Sequence, residues 1–180
     1  DGYVDYAIEK LGNHSPSGGL RGGKYSLFEA GTRVPFVTYW KGTIEPSTSD
    51  AIISQVDWLS SLSSMFDAST PEIDSENHLN LLLGKTNEGR KDLILEATSR
   101  TAYRQGDWVL IPPHPGPKMF FTKGIESGNG DEYQLYNLAE DASQKNNLAE
   151  KLPEKREQMM QNYLAIVGDV YKSTSNLRFD

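Results

Sequence analysis

A lysine preceded by a run of glycines is the feature of this chain whose residue types best suit chemistry. Four glycines lie between residues 18 and 23, and Lys24 follows them directly. Glycine allows backbone turns that other residues avoid and lets another group approach closely. A lysine ammonium is a compact positive charge with three hydrogen-bond donors. The pattern therefore predicts that Lys24 lies on a tightly turned loop and binds an anionic oxygen.

Polar residues flank this loop on both sides, and each has two open interpretations. Glu29 and Arg33, four residues apart, are predicted to hold the loop through an ion pair or hydrogen bonds, with a direct role at a site as the alternative. Arg21 either braces the backbone or contacts a ligand. His14 is a candidate for ligand contact or proton transfer because imidazole titrates near neutrality. An uninvolved loop histidine is the alternative.

The other titratable residues predict no metal centre. The chain has no cysteine, and its three histidines lack a zinc-ligand spacing such as H-E-x-x-H. No dense group of Asp and Asn residues suits calcium, and no G-x-S-x-G segment predicts a serine nucleophile. His114 lies in a proline cluster, where it either reaches the rim of a pocket or is a plain loop residue.

The composition excludes several classes of partner. The net charge of −7 makes a general nucleic-acid or anionic-membrane surface unfavourable. No apolar run approaches the roughly 18 residues of a membrane-spanning helix. A chain of 180 residues, 37% hydrophobic and 24% charged, suffices for one globular domain or two small ones. Because it opens on Asp1 rather than methionine, we expect an internal fragment of a longer protein.

The first half of the chain is predicted to combine helices with one strand. Residues 4–11 form a short helix or an ordered loop, and the apolar run 34–40 is predicted to be a buried β-strand. A second short helix is predicted at 76–83, ending at the glycine that follows it. Ser54 and Asp57 have the spacing of a capping box, which predicts a helix with this apolar stripe: Val56, Leu59, Leu62, Met65 and Phe66.

The second half is predicted to be a small, mostly antiparallel sheet covered by a helix. A hairpin is predicted around Gly106, and residues 173–180 are predicted to be a frayed tail. The predicted strands are 93–97, 101–104, 108–111, 119–122 and 132–138. A helix is predicted at 153–171, because Pro153 suits a first helical position and an apolar stripe follows: Met159, Met160, Tyr163, Leu164, Val167, Val170 and Tyr171.

Two segments of the chain resemble the sulfatase family. In one-letter code, LRGGK at 20–24 followed by FEAGTRVP at 28–35 is similar to the family's segment in which a lysine binds the substrate sulfate just before E-G-G-x-R-x-P. Ala30 stands where the family usually has glycine. Further on, LYNL, Asp141 and NLA resemble the family's C-terminal signature, with Asn137 and Ala142 replacing the usual Asp and Pro.

The resemblance implies an α/β fold followed by a small α+β subdomain. Residues 1–85 would complete a catalytic domain similar to alkaline phosphatase. Residues 86–172 would form a C-terminal subdomain in which an antiparallel sheet packs against the last helix, and 173–180 would be its tail.

The resemblance also implies that the full-length parent is a sulfuric ester hydrolase, arylsulfatase-like, acting on aryl or carbohydrate sulfates. Lys24 would bind the sulfate as the catalytic residue of this chain, and His14 and Arg21 would contact the substrate. The family uses a formylglycine, made from a C/S-x-P-x-R motif, and one calcium ion. Because no segment here matches that motif, both cofactors are expected from residues outside this chain, and the fragment alone should be inactive.

The implied partners are a sulfated small molecule or glycan and the upstream remainder of the catalytic domain. Two alternatives stay open: a phosphate or phosphonate ester hydrolase of the same superfamily, and a non-enzymatic carbohydrate-binding module. The nucleophile upstream would distinguish these alternatives. The compartment is not encoded in the sequence, and the export of many relatives suggests the periplasm or the cell exterior.

Overall fold

The computed structural model describes residues 16–70, 73–120 and 124–174, which form two compact units. One unit takes in the described residues of Asp1–Val34 and Ile94–Asp180, and the other is Pro35–Leu93. The prediction for residues 4–11 lies outside the described residues. The predicted domain division after residue 85 stays a prediction.

The described helices occur in both halves of the chain, and the described strands lie in the second half. The α-helices are α1, Trp58–Met65; α2, Leu79–Leu82; and α3, Pro153–Thr174. None of the helices described here has both the length and the apolar character needed to cross a membrane. The strands are β1, Asp92–Ala97; β2, Arg100–Gln105; β3, Trp108–Ile111; β4, Met119–Phe120; β5, Ile125–Glu126; and β6, Gln134–Asn137.

The sheet of the first unit has four strands in the order β1-β2-β3-β6. β3 runs antiparallel to both β2 and β6, and β4 and β5 form a separate antiparallel pair. Gln105 pairs with Trp108 across a two-residue turn, where Gly106 has φ +56°, a conformation typical of tight hairpins. The predicted hairpin and the predicted antiparallel sheet are confirmed.

α3 supplies the helical side of the core in this unit. Met159 and Tyr163 are fully buried and join a cluster with Tyr103, Leu110 and Leu135. The predicted apolar stripe is therefore confirmed at those two helical positions. It is wrong at Leu164, which is 38% exposed, and the side chains of residues 170 and 171 lie outside the description. The predicted tail begins too early, because Ser173 and Thr174 belong to the last piece of α3, beyond a kink at the non-helical Gly168 (φ +50°, ψ −132°).

A buried ion pair holds the second unit together. The Ser54 N–H donates to the Asp57 carboxylate at 2.9 Å, and a 3₁₀ turn, Gln55–Asp57, leads into α1, which confirms the predicted helix. Asp57 is fully buried and accepts from the Arg90 guanidinium (Nε to Oδ2, 2.8 Å) and from the Glu76 N–H (2.9 Å). The predicted helix at 76–83 is confirmed but begins later, as α2.

The predicted buried strand at 34–40 is wrong. These residues form no strand, and Val37 and Tyr39 are 85% and 83% exposed. No described strand pairs with the segment. Its backbone therefore lacks a partner for strand hydrogen bonds, and its β-prone residues lack the packing that stabilises a strand. Four members of the stripe predicted for α1 are exposed in the same way: Val56, Leu59, Leu62 and Phe66.

Candidate anion-binding loop

Lys24 lies at the tip of a β-turn. The Ser26 N–H donates to the Gly23 carbonyl at 2.9 Å, so Lys24 and Tyr25 are the two central residues. Tyr25 has φ +78°, at the position that a type II turn normally gives to glycine. The Lys24 side chain is exposed, and its ammonium lies 5.2 Å from the centroid of the Tyr25 ring. Thus the predicted turned loop is present, with its cation at the outermost point.

Two glycines are required by the packing of this loop. Gly22 has φ +84°, and a Cβ there would collide with the side chain of Ser26. A Cβ on Gly31 would collide with the Ser26 carbonyl. Ser26 itself is fully buried. The loop therefore folds back on its own serine so tightly that neither glycine tolerates a side chain.

The base of the loop is fixed to the sheet unit by backbone bonds and apolar burial. The Ala30 N–H donates to the Arg21 carbonyl at 3.0 Å, and the Leu27 N–H donates to the Ser127 carbonyl at 2.8 Å. Leu27 and Phe28 are 1% and 2% exposed. A solvated tip thus stands on a buried base.

Arg21 points into this base. Its guanidinium donates to both carboxylate oxygens of Glu126, at 2.8 and 2.7 Å. It also donates to the Tyr136 hydroxyl (3.2 Å) and the Gln144 carbonyl (2.6 Å), and it lies 3.9 Å from the centroid of the Phe28 ring. The Glu126 hydrogen bonds raise the pKa of Arg21 above its usual value, and the same bonds lower the pKa of Glu126. These contacts give Arg21 a structural role, because they connect the base of the loop to the sheet unit.

Glu29 forms the predicted ion pair with Arg33. It also forms a second ion pair, with Arg104, that the sequence did not indicate. The buried Glu29 carboxylate accepts from Arg33 Nε at 2.8 Å and from Arg104 at 3.0 Å. Arg104 comes from β2. The pair therefore does hold the loop, as predicted, and ties it to the sheet as well.

Gln144 is the contact that sequence reasoning missed. It is fully buried, and its side-chain oxygen accepts from the Glu29 N–H at 2.6 Å. Nothing in the spacing of residues 135–149 singles out this glutamine. Only the fold brings it to a loop 115 residues earlier in the chain.

Of the two histidines predicted as candidates, the structure describes His114 alone. His14 lies outside the described residues. His114 is 6% exposed and contacts the Thr101 carbonyl at 2.7 Å, and burial lowers the pKa of its imidazole below 6.5. Its backbone forms a bridge with Gly130. His114 is thus a buried structural residue.

An open cleft of about 280 Å³ lies in the same unit. Arg21, Lys118 and Glu126 are among its lining residues, whereas Lys24 is not. Within 16–70, 73–120 and 124–174, no three side chains of His, Cys, Asp or Glu lie close enough together to hold a metal ion. This part of the chain therefore supplies no cluster of three such side chains for the calcium ion that the resemblance implies.

Comparisons with known sequences point to one family. The family model described as Sulfatase matches residues 6–68. A curated N-acetylgalactosamine-6-O-sulfatase from Bacteroides thetaiotaomicron is 41% identical over 158 residues, which is 86% of this chain and 31% of the relative. Arylsulfatase G from Rattus norvegicus is 25% identical over 187 residues, which is 93% of this chain and 35% of the relative. The chain thus spans about a third of the length of these curated relatives.

Comparisons with solved structures agree. A structure connected with the metabolism of multiple glycosaminoglycans by Bacteroides thetaiotaomicron matches with a TM-score of 0.85 at 37% identity, covering 90% of this chain and 35% of that chain. A sulfatase from Pseudoalteromonas sp. matches with a TM-score of 0.67 at 18% identity, covering 93% of this chain and 34% of its own. The second likeness shows the fold alone. The predicted fold class is confirmed.

Proposed function

Since this chain belongs to the sulfatase family, we propose that it forms the C-terminal part of an enzyme that hydrolyses sulfate esters. The observation that carries the proposal is the position of Lys24, an exposed cation at the tip of a turn whose base is buried. A rigidly placed ammonium can neutralise an oxygen on which negative charge develops in the transition state. Lys24 is the sulfate clamp in this proposal.

Arg21 acts as a brace in this proposal. Its guanidinium is engaged by Glu126, Tyr136 and Gln144, which leaves it poorly oriented toward a substrate at the tip. The substrate contact predicted for Arg21 would then be indirect. The contact predicted for His14 stays a prediction.

The substrate class that we propose is a carbohydrate sulfate, ahead of an aryl sulfate. The support is the 41% identity to an enzyme whose name specifies the 6-O-sulfate of N-acetylgalactosamine. The nucleophile and the calcium ion are assigned to other residues of the full-length protein. In the family a formylglycine supplies that nucleophile, and no residue of this chain takes over its part.

The apolar side chains exposed along 35–66, within the second unit, support a second element of the proposal. Val37 and Tyr39 project without a described partner strand, and α1 exposes its own apolar stripe. Large contiguous apolar surfaces usually mark an interface. We therefore assign this surface to the remainder of the catalytic domain, and we expect the chain alone to be inactive.

The test is turnover of a 6-O-sulfated N-acetylgalactosamine by the full-length protein. Lys24→Ala is expected to lower kcat/KM by about 100-fold or more, the loss typical of one transition-state donor. Lys151→Ala, which removes another exposed lysine from the same unit, is the matched control and should leave kcat/KM unchanged. Equal activity of wild type and a folded Lys24→Ala variant, or turnover of phosphate esters instead, would contradict the proposal.

A further inference from the structure

Gln144 contacts both ends of the segment that carries Lys24. Its backbone carbonyl accepts from the Arg21 guanidinium at 2.6 Å, three residues before the lysine. Its side-chain oxygen accepts from the Glu29 N–H, also at 2.6 Å, five residues after it. One buried residue of the 138–149 connection therefore clamps the two ends of a nine-residue segment.

Lys24 depends on that segment for its placement. In the described part of the chain, no carboxylate lies within salt-bridge distance of its ammonium. The ammonium lies 5.2 Å from the centroid of the Tyr25 ring, which belongs to the same turn. A displacement of Arg21 or Glu29 is therefore transmitted to the ammonium through the backbone of the turn, and no described ion pair of Lys24 itself opposes it.

The conformation of Gln144 is unfavourable in itself. Its φ is +50°, a left-handed conformation that glycine or asparagine adopts more readily. Its side-chain Nε2 is buried, and no described group accepts from it, which carries a desolvation cost. Strained and incompletely paired residues of this kind persist where the surrounding structure over-determines them, often at functional sites. Here the two contacts that offset the cost are both made to the lysine segment.

We propose that Gln144 is a positioning residue for the sulfate-binding lysine. The inference rests on the function proposed for Lys24 and deepens it. Gln144 touches neither substrate nor reacting atoms. Together with the backbone bond between Ala30 and Arg21, it holds the two ends of the segment to one residue and so contributes to where the turn presents its ammonium. Misplacement of a binding group by about 1 Å can cost up to about 100-fold in rate, so a loosened clamp has a measurable effect.

The experiment is a double-mutant cycle in the full-length protein with 6-O-sulfated N-acetylgalactosamine as substrate. Gln144→Met removes the acceptor for the Glu29 N–H at similar side-chain length. Its effect on kcat/KM is measured with Lys24 present and in the Lys24→Ala background. Hydrogen exchange of the backbone amides of 21–30 is measured in parallel, because it reports the clamp without any catalysis. Gln144→Asn, which suits a positive φ but is too short to reach Glu29, replaces the methionine variant if that one does not fold.

Tyr163→Phe is the matched control. It deletes a buried hydrogen bond, 2.6 Å between the Tyr163 and Thr101 hydroxyls, in the same unit and away from the loop. The control should retain kcat/KM within about 3-fold.

Gln144→Met is expected to lower kcat/KM by about 10-fold when Lys24 is present, to have no further effect in the Lys24→Ala background, and to accelerate exchange of the Glu29 amide. Equal losses in both backgrounds, or unchanged kcat/KM despite faster exchange, would overturn the positioning role. Unchanged activity of Lys24→Ala alone would instead remove the proposed sulfate clamp, so the two failures are distinguishable.

Discussion

In the unit that contains the sheet, Tyr103, Leu110 and Tyr163 are fully buried, whereas in the unit of Pro35–Leu93 Val37 and Tyr39 are more than 80% exposed. The fully buried carboxylate of the second unit, Asp57, is held by an arginine. The first unit is thus organised by an apolar core, and the second by a buried ion pair.

This difference suggests a different role for each unit. A unit with its own core can hold a loop rigidly, and the Lys24 loop is fixed to that unit by buried side chains and ion pairs. A unit that keeps its aromatic and aliphatic residues outside cannot gain much stability from them. Those residues are available to bind another protein surface.

Two tyrosine substitutions, one in each unit, give the strongest test of this difference in burial. Tyr103→Ala should lower the free energy of unfolding by about 3–5 kcal/mol, since it opens a cavity in the core. Tyr39→Ala should change it by less than about 0.5 kcal/mol, since the side chain is already solvated. Urea unfolding of the chain followed by tryptophan fluorescence measures both values. Equal losses for the two variants would mean that Tyr39 is buried after all.

Breaking the buried ion pair between Asp57 and Arg90 is expected to have the next largest effect on stability. Asp57→Ala leaves Arg90 without its main partner and removes the acceptor of the Ser54 and Glu76 N–H groups. A loss of about 3 kcal/mol is expected from breaking such a pair. Glu45→Ala, an exposed carboxylate in the same unit, is the control. If local hydrogen exchange in α1 stays as slow in Asp57→Ala as in the control, the ion pair does not organise this unit.

The comparison also separates what the sequence could predict from what it could not. The hairpin at Gly106 and the helix beginning at Pro153 were predictable because local turn and capping chemistry agrees with the apolar pattern there. The strand at 34–40 was predicted from the same kind of pattern and is absent. A strand is stabilised by a neighbouring strand, and the composition of a segment does not show whether such a neighbour is present.

The contacts of the candidate loop also fall into predictable and unpredictable ones. The turn that carries Lys24 and the ion pair of Glu29 with Arg33 were predictable because their spacing is local. Glu126 and Gln144 were not, because they reach the loop only after the sheet unit has folded and they carry no spacing signal. Long-range polar contacts to a loop are visible in the fold but not in the periodicity of the chain.

The smallest predicted effect is the pH dependence caused by His114. Burial lowers the pKa of this imidazole below 6.5 despite the opposing hydrogen bond to the Thr101 carbonyl. As the pH falls below about 6.5, the unfolded chain takes up a proton that the folded chain does not bind, so stability decreases. His114→Gln should remove this part of the slope, by about 1 kcal/mol or less. Urea midpoints at pH 7.5 and 5.5 measure it, and parallel slopes in both proteins would exclude the contribution.

The central claim is that Lys24, held out by the sheet unit, binds a sulfate oxygen. The most direct measurement is the inhibition constant of inorganic sulfate, the product of the proposed reaction, for the full-length protein and its Lys24→Ala variant. A charge-assisted hydrogen bond is worth about 1.5–3 kcal/mol, so the account predicts that the inhibition constant rises by about 10-fold or more. An unchanged inhibition constant in a folded variant would contradict it.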